Sequence, residues 1–125
     1  MEYDIVFIEG NKKYLTTKDH DRLRNKVLSG LDYKIKVVQS DDALADLPKA
    51  KVYIGFSQGT RYMRRIDAPL KISIGGIGAK DVIRLMNPND RVRQGDTSKE
   101  SLKAHFTVTD QMKRTIDKYV KKTLK

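Results

Sequence analysis

The chain has 125 residues, 38% hydrophobic and 34% charged, and its 26 Lys and Arg against 16 Asp and Glu give a formal net charge of +10. That length bounds it to a single domain, residues 1–125, and that apolar content excludes a disordered chain. The absence of cysteine excludes disulfides and thiolate metal sites, and no apolar run approaches the roughly 20 residues of a membrane-spanning helix.

The basic residues are spread along the chain, with local concentrations at Arg61 to Arg65, Arg84 to Arg93 and Lys113 to Lys125. No nucleic-acid-binding motif accompanies them. They read as a solvated basic surface that favours solubility, not as a dedicated polyanion site, so nucleic acid is not an expected partner. Met1-Glu-Tyr-Asp4 lacks the basic region and long apolar core of a signal peptide, and a cytoplasmic protein is expected. The scattered acids show no metal-ligand spacing, and Gly75-Gly-Ile-Gly78 reads as a turn and not as a dinucleotide site, so no metal and no cofactor is expected.

In chain order, Tyr3 to Ile8 is short and apolar throughout, the pattern of a strand buried on both faces of a parallel sheet. After a turn at Glu9-Gly10-Asn11, Thr16 or Thr17 caps a helix with apolar positions Leu23, Val27, Leu28 and Leu31, ending near Gly30. His20, in the charged stretch Lys18-Asp-His-Asp-Arg22, reads as a solvated surface residue. Tyr33 to Val38 is a second strand, and Ser40-Asp41-Asp42 caps a short helix stopped by Pro48. Val52 to Phe56 is a third strand, followed by a short basic helix from Thr60 to Ile66.

Leu70 to Ile74 and Val82 to Met86 read as the fourth and fifth strands. About seven residues separate them, whereas a right-handed parallel crossover normally takes about a dozen or more, so this pair is expected either to use an unusually tight loop or not to be simply parallel. Arg91 to Lys103 is polar and irregular. Thr109 or Asp110 then caps an amphipathic helix with the stripe Met112, Ile116, Tyr119, Val120 and Leu124. Strands alternating with helices predict a three-layer α/β domain with a mostly parallel five-stranded sheet and with ligands at the carboxyl ends of the strands.

The stretch that carries chemistry is Gly55-Phe-Ser-Gln-Gly59, between a strand and a helix. In a nucleophile elbow the turn holds the serine in a strained backbone conformation, and glycines two residues either side are required because neighbouring chains crowd it. A serine hydroxyl is a weak nucleophile at neutral pH and needs an imidazole to take its proton and a carboxylate to orient that imidazole. Ser57, Asp90 and His105 can fill those roles, with Asp96 competing for the acid. The bland alternative is a serine that merely enters a helix. Phe56, Tyr14, Tyr62 and Met63 either line an acyl pocket or pack as ordinary core.

The order Ser57, Asp90, His105 is that of the α/β-hydrolase family, which the chain resembles at several points. Gly55 to Gly59 resembles the family's elbow, Asn89-Asp90-Arg91-Val92 its acid turn, and His105 before a terminal helix its histidine loop. Ile5 to Gly10 is similar to the strand whose following loop supplies half of the oxyanion hole. The pattern begins at what would be the family's third strand; a cap and the helix between the fourth and fifth strands have no counterpart, and Glu9-Gly10 stands where the family commonly has His-Gly. Asp90 and His105 are 15 residues apart, about half the family's interval.

The resemblance implies a minimal, lidless serine esterase or thioesterase that forms an acyl-enzyme on Ser57, with Asp90 and His105 completing the triad. The backbone N–H of Gln58 would be one oxyanion donor and that of Gly10 or Asn11 the other. Its partner would be a small-molecule ester. The alternative is a non-catalytic binding module on the same scaffold that engages an acidic protein or nucleic acid through its basic surface. Exposed sheet edges make a homodimer a further expectation.

Overall fold

The computed structural model describes residues 2–10, 17–39, 47–63, 66–75, 82–85 and 107–125. Five strands form one sheet: β1 (Glu2–Ile8), β2 (Ile35–Val38), β3 (Lys49–Phe56), β4 (Leu70–Ile74) and β5 (Ile83–Leu85). Their order is β2-β1-β3-β4-β5, and every neighbouring pair is parallel. Among the described residues three α-helices accompany them: α1 (Thr17–Leu28), α2 (Thr60–Met63) and α3 (Asp110–Thr123). The α/β architecture expected from the alternation of elements is therefore present, and its sheet is parallel throughout.

Apolar runs rather than alternating patterns form these strands because both faces of the sheet are covered. Successive side chains point to opposite faces. Ile5 and Phe7 of β1, Val52, Ile54 and Phe56 of β3, and Leu70, Ile72 and Ile74 of β4 pack with Leu23 and Val27 of α1 and with Met112, Ile116 and Val120 of α3. On the other face Val6, Ile8 and Tyr53 pack with Met63 of α2. The Tyr53 hydroxyl would be costly to bury alone; it donates to the Pro48 carbonyl at 2.6 Å and accepts the Ala50 N–H at 3.1 Å.

Helix α3 starts where Thr109, in an extended conformation, accepts the Met112 N–H on its hydroxyl at 3.1 Å. Its stripe is narrower than expected, for Tyr119 lies mostly out of the core. The turn that follows α1 carries Gly30, whose φ of 75° only glycine adopts without strain. Lys113 of α3 reaches over that end, donating to the Val27 carbonyl at 2.7 Å and also to the Ser29 carbonyl. A cation on the last carbonyls of α1 offsets the negative end of its dipole and ties the two helices together.

Strands β4 and β5 decide between the two expectations for this pair: Ile72 lies opposite Ile83 and Ile74 opposite Leu85, in parallel, so the alternative of a pairing that is not simply parallel falls away. An extended chain covers ~3.3 Å per residue, so a short link suffices to return along a strand as brief as β4. Strand β3 begins at Lys49, earlier than its apolar run, because Lys49 and Ala50 pair with Glu2 and Tyr3 of β1. The helix expected after Ser40 lies outside the described residues.

Candidate functional site

Strands β1 and β3 are hydrogen-bonded neighbours in register from Glu2 and Lys49 to Ile8 and Gly55. They therefore deliver the segments that follow them, Glu9-Gly10 and Ser57 onward, to one point on the carboxyl rim. In the order β2-β1-β3-β4-β5, this is where the chain progression reverses, the usual place for a ligand in a doubly wound sheet.

The turn out of β3 is as sharp as the elbow pattern demands. Ser57 has a φ of 54° and is the one non-glycine residue with positive φ among the described residues. A β-carbon in that region costs about 1 kcal/mol or more, so the surrounding contacts must hold it there. A 3-10 turn over Ser57–Gly59 leads directly into α2. Thr60 and Ser73, both buried, share a hydrogen bond of 2.6 Å between their hydroxyls and anchor the start of α2 to β4.

The two elbow glycines are needed for space. A β-carbon on Gly59 would stand 2.5 Å from the Ile8 carbonyl oxygen, and one on Gly55 would stand 2.8 Å from the Thr60 nitrogen and 2.9 Å from the Gly59 carbonyl carbon. Gly10 is equally constrained: a β-carbon there would lie 2.9 Å from the Phe56 carbonyl oxygen and 3.4 Å from Ser57 Cβ. The backbone after β1 thus runs against the elbow itself. Ser57 is half-buried at this junction.

Two charged or titratable residues near the junction are buried, and one of them departs from the sequence reading. His20 is not a solvated surface residue but is buried at 3% exposure on the inner face of α1, together with Leu23 and Val27. The signal was present, since position 20 lies three residues before Leu23 and seven before Val27, on the same helical stripe. Glu9 is 1% exposed, and its carboxylate pairs with Arg24 of α1 and accepts the Gln39 side-chain N–H at 2.6 Å. Arg24 also pairs with Asp21 at 3.0 Å. Nothing in the local sequence marks Glu9 as buried, because its partners are 15 and 30 residues away.

Of the expected site residues, Ser57, Gly10 and the backbone of Gln58 converge at this rim, while Asn11, Asp90, His105 and the alternative acid Asp96 lie outside the described residues. Phe56 and Met63 are core side chains rather than pocket walls, Tyr62 is partly buried against the second face, and Tyr14 lies outside the described residues. Among the described residues no group of three His, Cys, Asp or Glu is placed to hold a metal ion. No helix among them is long and apolar enough to cross a membrane.

No family model matches the chain, and no curated protein or solved structure is significantly similar to it. The functional reading therefore rests on the rim geometry and the sequence pattern.

Proposed function

We propose that the protein is a serine hydrolase that cleaves carboxylic esters or thioesters through an acyl-enzyme on Ser57. The single observation that supports this most is the left-handed backbone of Ser57 between two glycines that tolerate no β-carbon. A serine that simply enters a helix sits in an extended cap conformation, as Thr109 does, and needs neither the strain nor the crowding. Strain of this kind persists where a side chain has to be presented at a fixed point.

In this reading the Ser57 hydroxyl attacks the substrate carbonyl. The oxyanion that develops accepts the backbone N–H of Gln58 and a second N–H from the segment after β1, at Gly10 or Asn11. Each such donor is worth about 3 kcal/mol in acyl transfer, because it meets charge present only in the tetrahedral intermediate. The family pattern nominates His105 as the proton acceptor and Asp90 as the carboxylate that orients it. Small or accessible acyl groups are the proposed substrates, the cytoplasm the proposed compartment, and a dimer through the β2 or β5 edge the proposed assembly.

Incubation with a fluorophosphonate probe, followed by mapping of the modified peptide, tests the proposal. Stoichiometric modification of Ser57, abolished in Ser57→Ala, is the expected result. A folded protein that the probe leaves unmodified at Ser57 removes it.

A further inference from the structure

The chain has two histidines, and the described structure brings one of them, His20, to the elbow. The point that a Gly10 β-carbon would occupy lies 3.4 Å from Ser57 Cβ and 3.6 Å from His20 Cε1. Because residue 10 has no side chain, no atom of that residue occupies this point, which lies within contact distance of both the serine and the imidazole. Cε1 is bonded to both ring nitrogens, so a nitrogen lies one bond from the atom that faces this gap. The placement is held from behind: Arg24, one helical turn further along α1, is paired with Glu9, the residue before Gly10. That ion pair, with Glu9 fully enclosed, presses the His20 side of α1 against the end of β1.

We propose that His20 is the imidazole that serves Ser57, in the role that the family pattern gives to His105. This rests on the acyl-enzyme reading above. His20 accepts the Ser57 proton as the oxygen forms its bond to the acyl carbon. It then returns that proton to the departing alkoxide or thiolate as the old bond breaks. In the second half-reaction His20 takes a proton from the attacking water and gives it back to Ser57 Oγ as the acyl–serine bond breaks, releasing the carboxylic acid. A positioned base of this kind contributes about 100-fold or more. The presence of glycine at position 10 acquires a chemical reason as well as a steric one.

The test is the rate of fluorophosphonate labelling at Ser57 in the wild type, His20→Gln and His105→Gln, with circular dichroism to verify folding. The expected result is a loss of about 100-fold or more in folded His20→Gln. Folded His20→Gln that is labelled at the wild-type rate, with the loss falling on His105→Gln instead, overturns the proposal and leaves the acyl-enzyme reading standing. A wild type that is not labelled at Ser57 overturns both. Should His20→Gln not fold, nitrogen NMR of the wild-type imidazoles before and after labelling decides: movement of the His20 ring signals supports the assignment, and movement confined to His105 overturns it.

Discussion

The α-carbon of Gly59 sits against Ile8 so closely that a methyl group on it would stand 2.5 Å from the Ile8 carbonyl oxygen and 3.0 Å from Ile8 Cγ2. Ile8 ends β1 and Gly59 ends the elbow turn, so this contact sets how near the two rim segments approach. Gly59→Ala has to push a backbone carbonyl out of a central strand, and a cost of about 2 kcal/mol or more is expected. Gly30→Ala is the control, for that position has open space around it and a φ of 75°. It should cost about 1 kcal/mol from conformation alone. Urea unfolding of the two variants compares them, and only Gly59→Ala should also slow labelling of Ser57.

The Ser57 backbone yields a prediction in which stability and activity move in opposite directions. Ser57→Gly relieves the positive φ of 54° and should stabilise the fold by about 1 kcal/mol while abolishing reaction with the probe. Ser57→Ala abolishes the reaction equally but keeps a β-carbon in the same conformation and should gain nothing. Thermal melts and probe labelling of both variants give the comparison.

Glu9 and Arg24 should behave as a pair. Arg24→Met leaves an enclosed carboxylate with only part of its compensation, the Gln39 N–H at 2.6 Å remaining. A loss of about 3 kcal/mol is expected. Glu9→Gln in the same chain removes the charge that was stranded, so the double variant should be more stable than Arg24→Met alone. A double-mutant cycle by denaturant unfolding measures this coupling.

Tyr53 gives the fold an alkaline dependence. Burial pushes its phenol up from the ordinary value near 10, while the Ala50 N–H on its oxygen works in the opposite direction. The native state therefore holds this proton more tightly than the unfolded chain does. The resulting contribution is complete below about pH 10 and is lost as pH rises from there through the raised native value. Tyr53→Phe should be about 1 kcal/mol less stable at pH 7, having dropped the hydrogen bonds to Pro48 and Ala50. Above pH 10 the gap between the two proteins should narrow, which unfolding curves from pH 7 to alkaline pH would show.

The sequence by itself determined what depends on neighbours along the chain. The apolar runs of β1, β3 and β4 require a sheet covered on both faces, Thr109 marks the first turn of α3, and glycines two residues either side of Ser57 announce the sharp turn. Short-range pattern suffices there because capping, strand periodicity and turn strain are local forces. Only the tertiary structure decided what depends on segments distant in sequence. The parallel pairing of β5, the enclosure of Glu9 by Arg24 and Gln39, the burial of His20 and the crowding of Gly10 against Ser57 all come from register between separate elements. A charged stretch such as Lys18 to Arg22 looks solvated in isolation. Once the helix face is turned toward β1, the apolar area it buries and the charge it pairs outweigh the polarity of its neighbours.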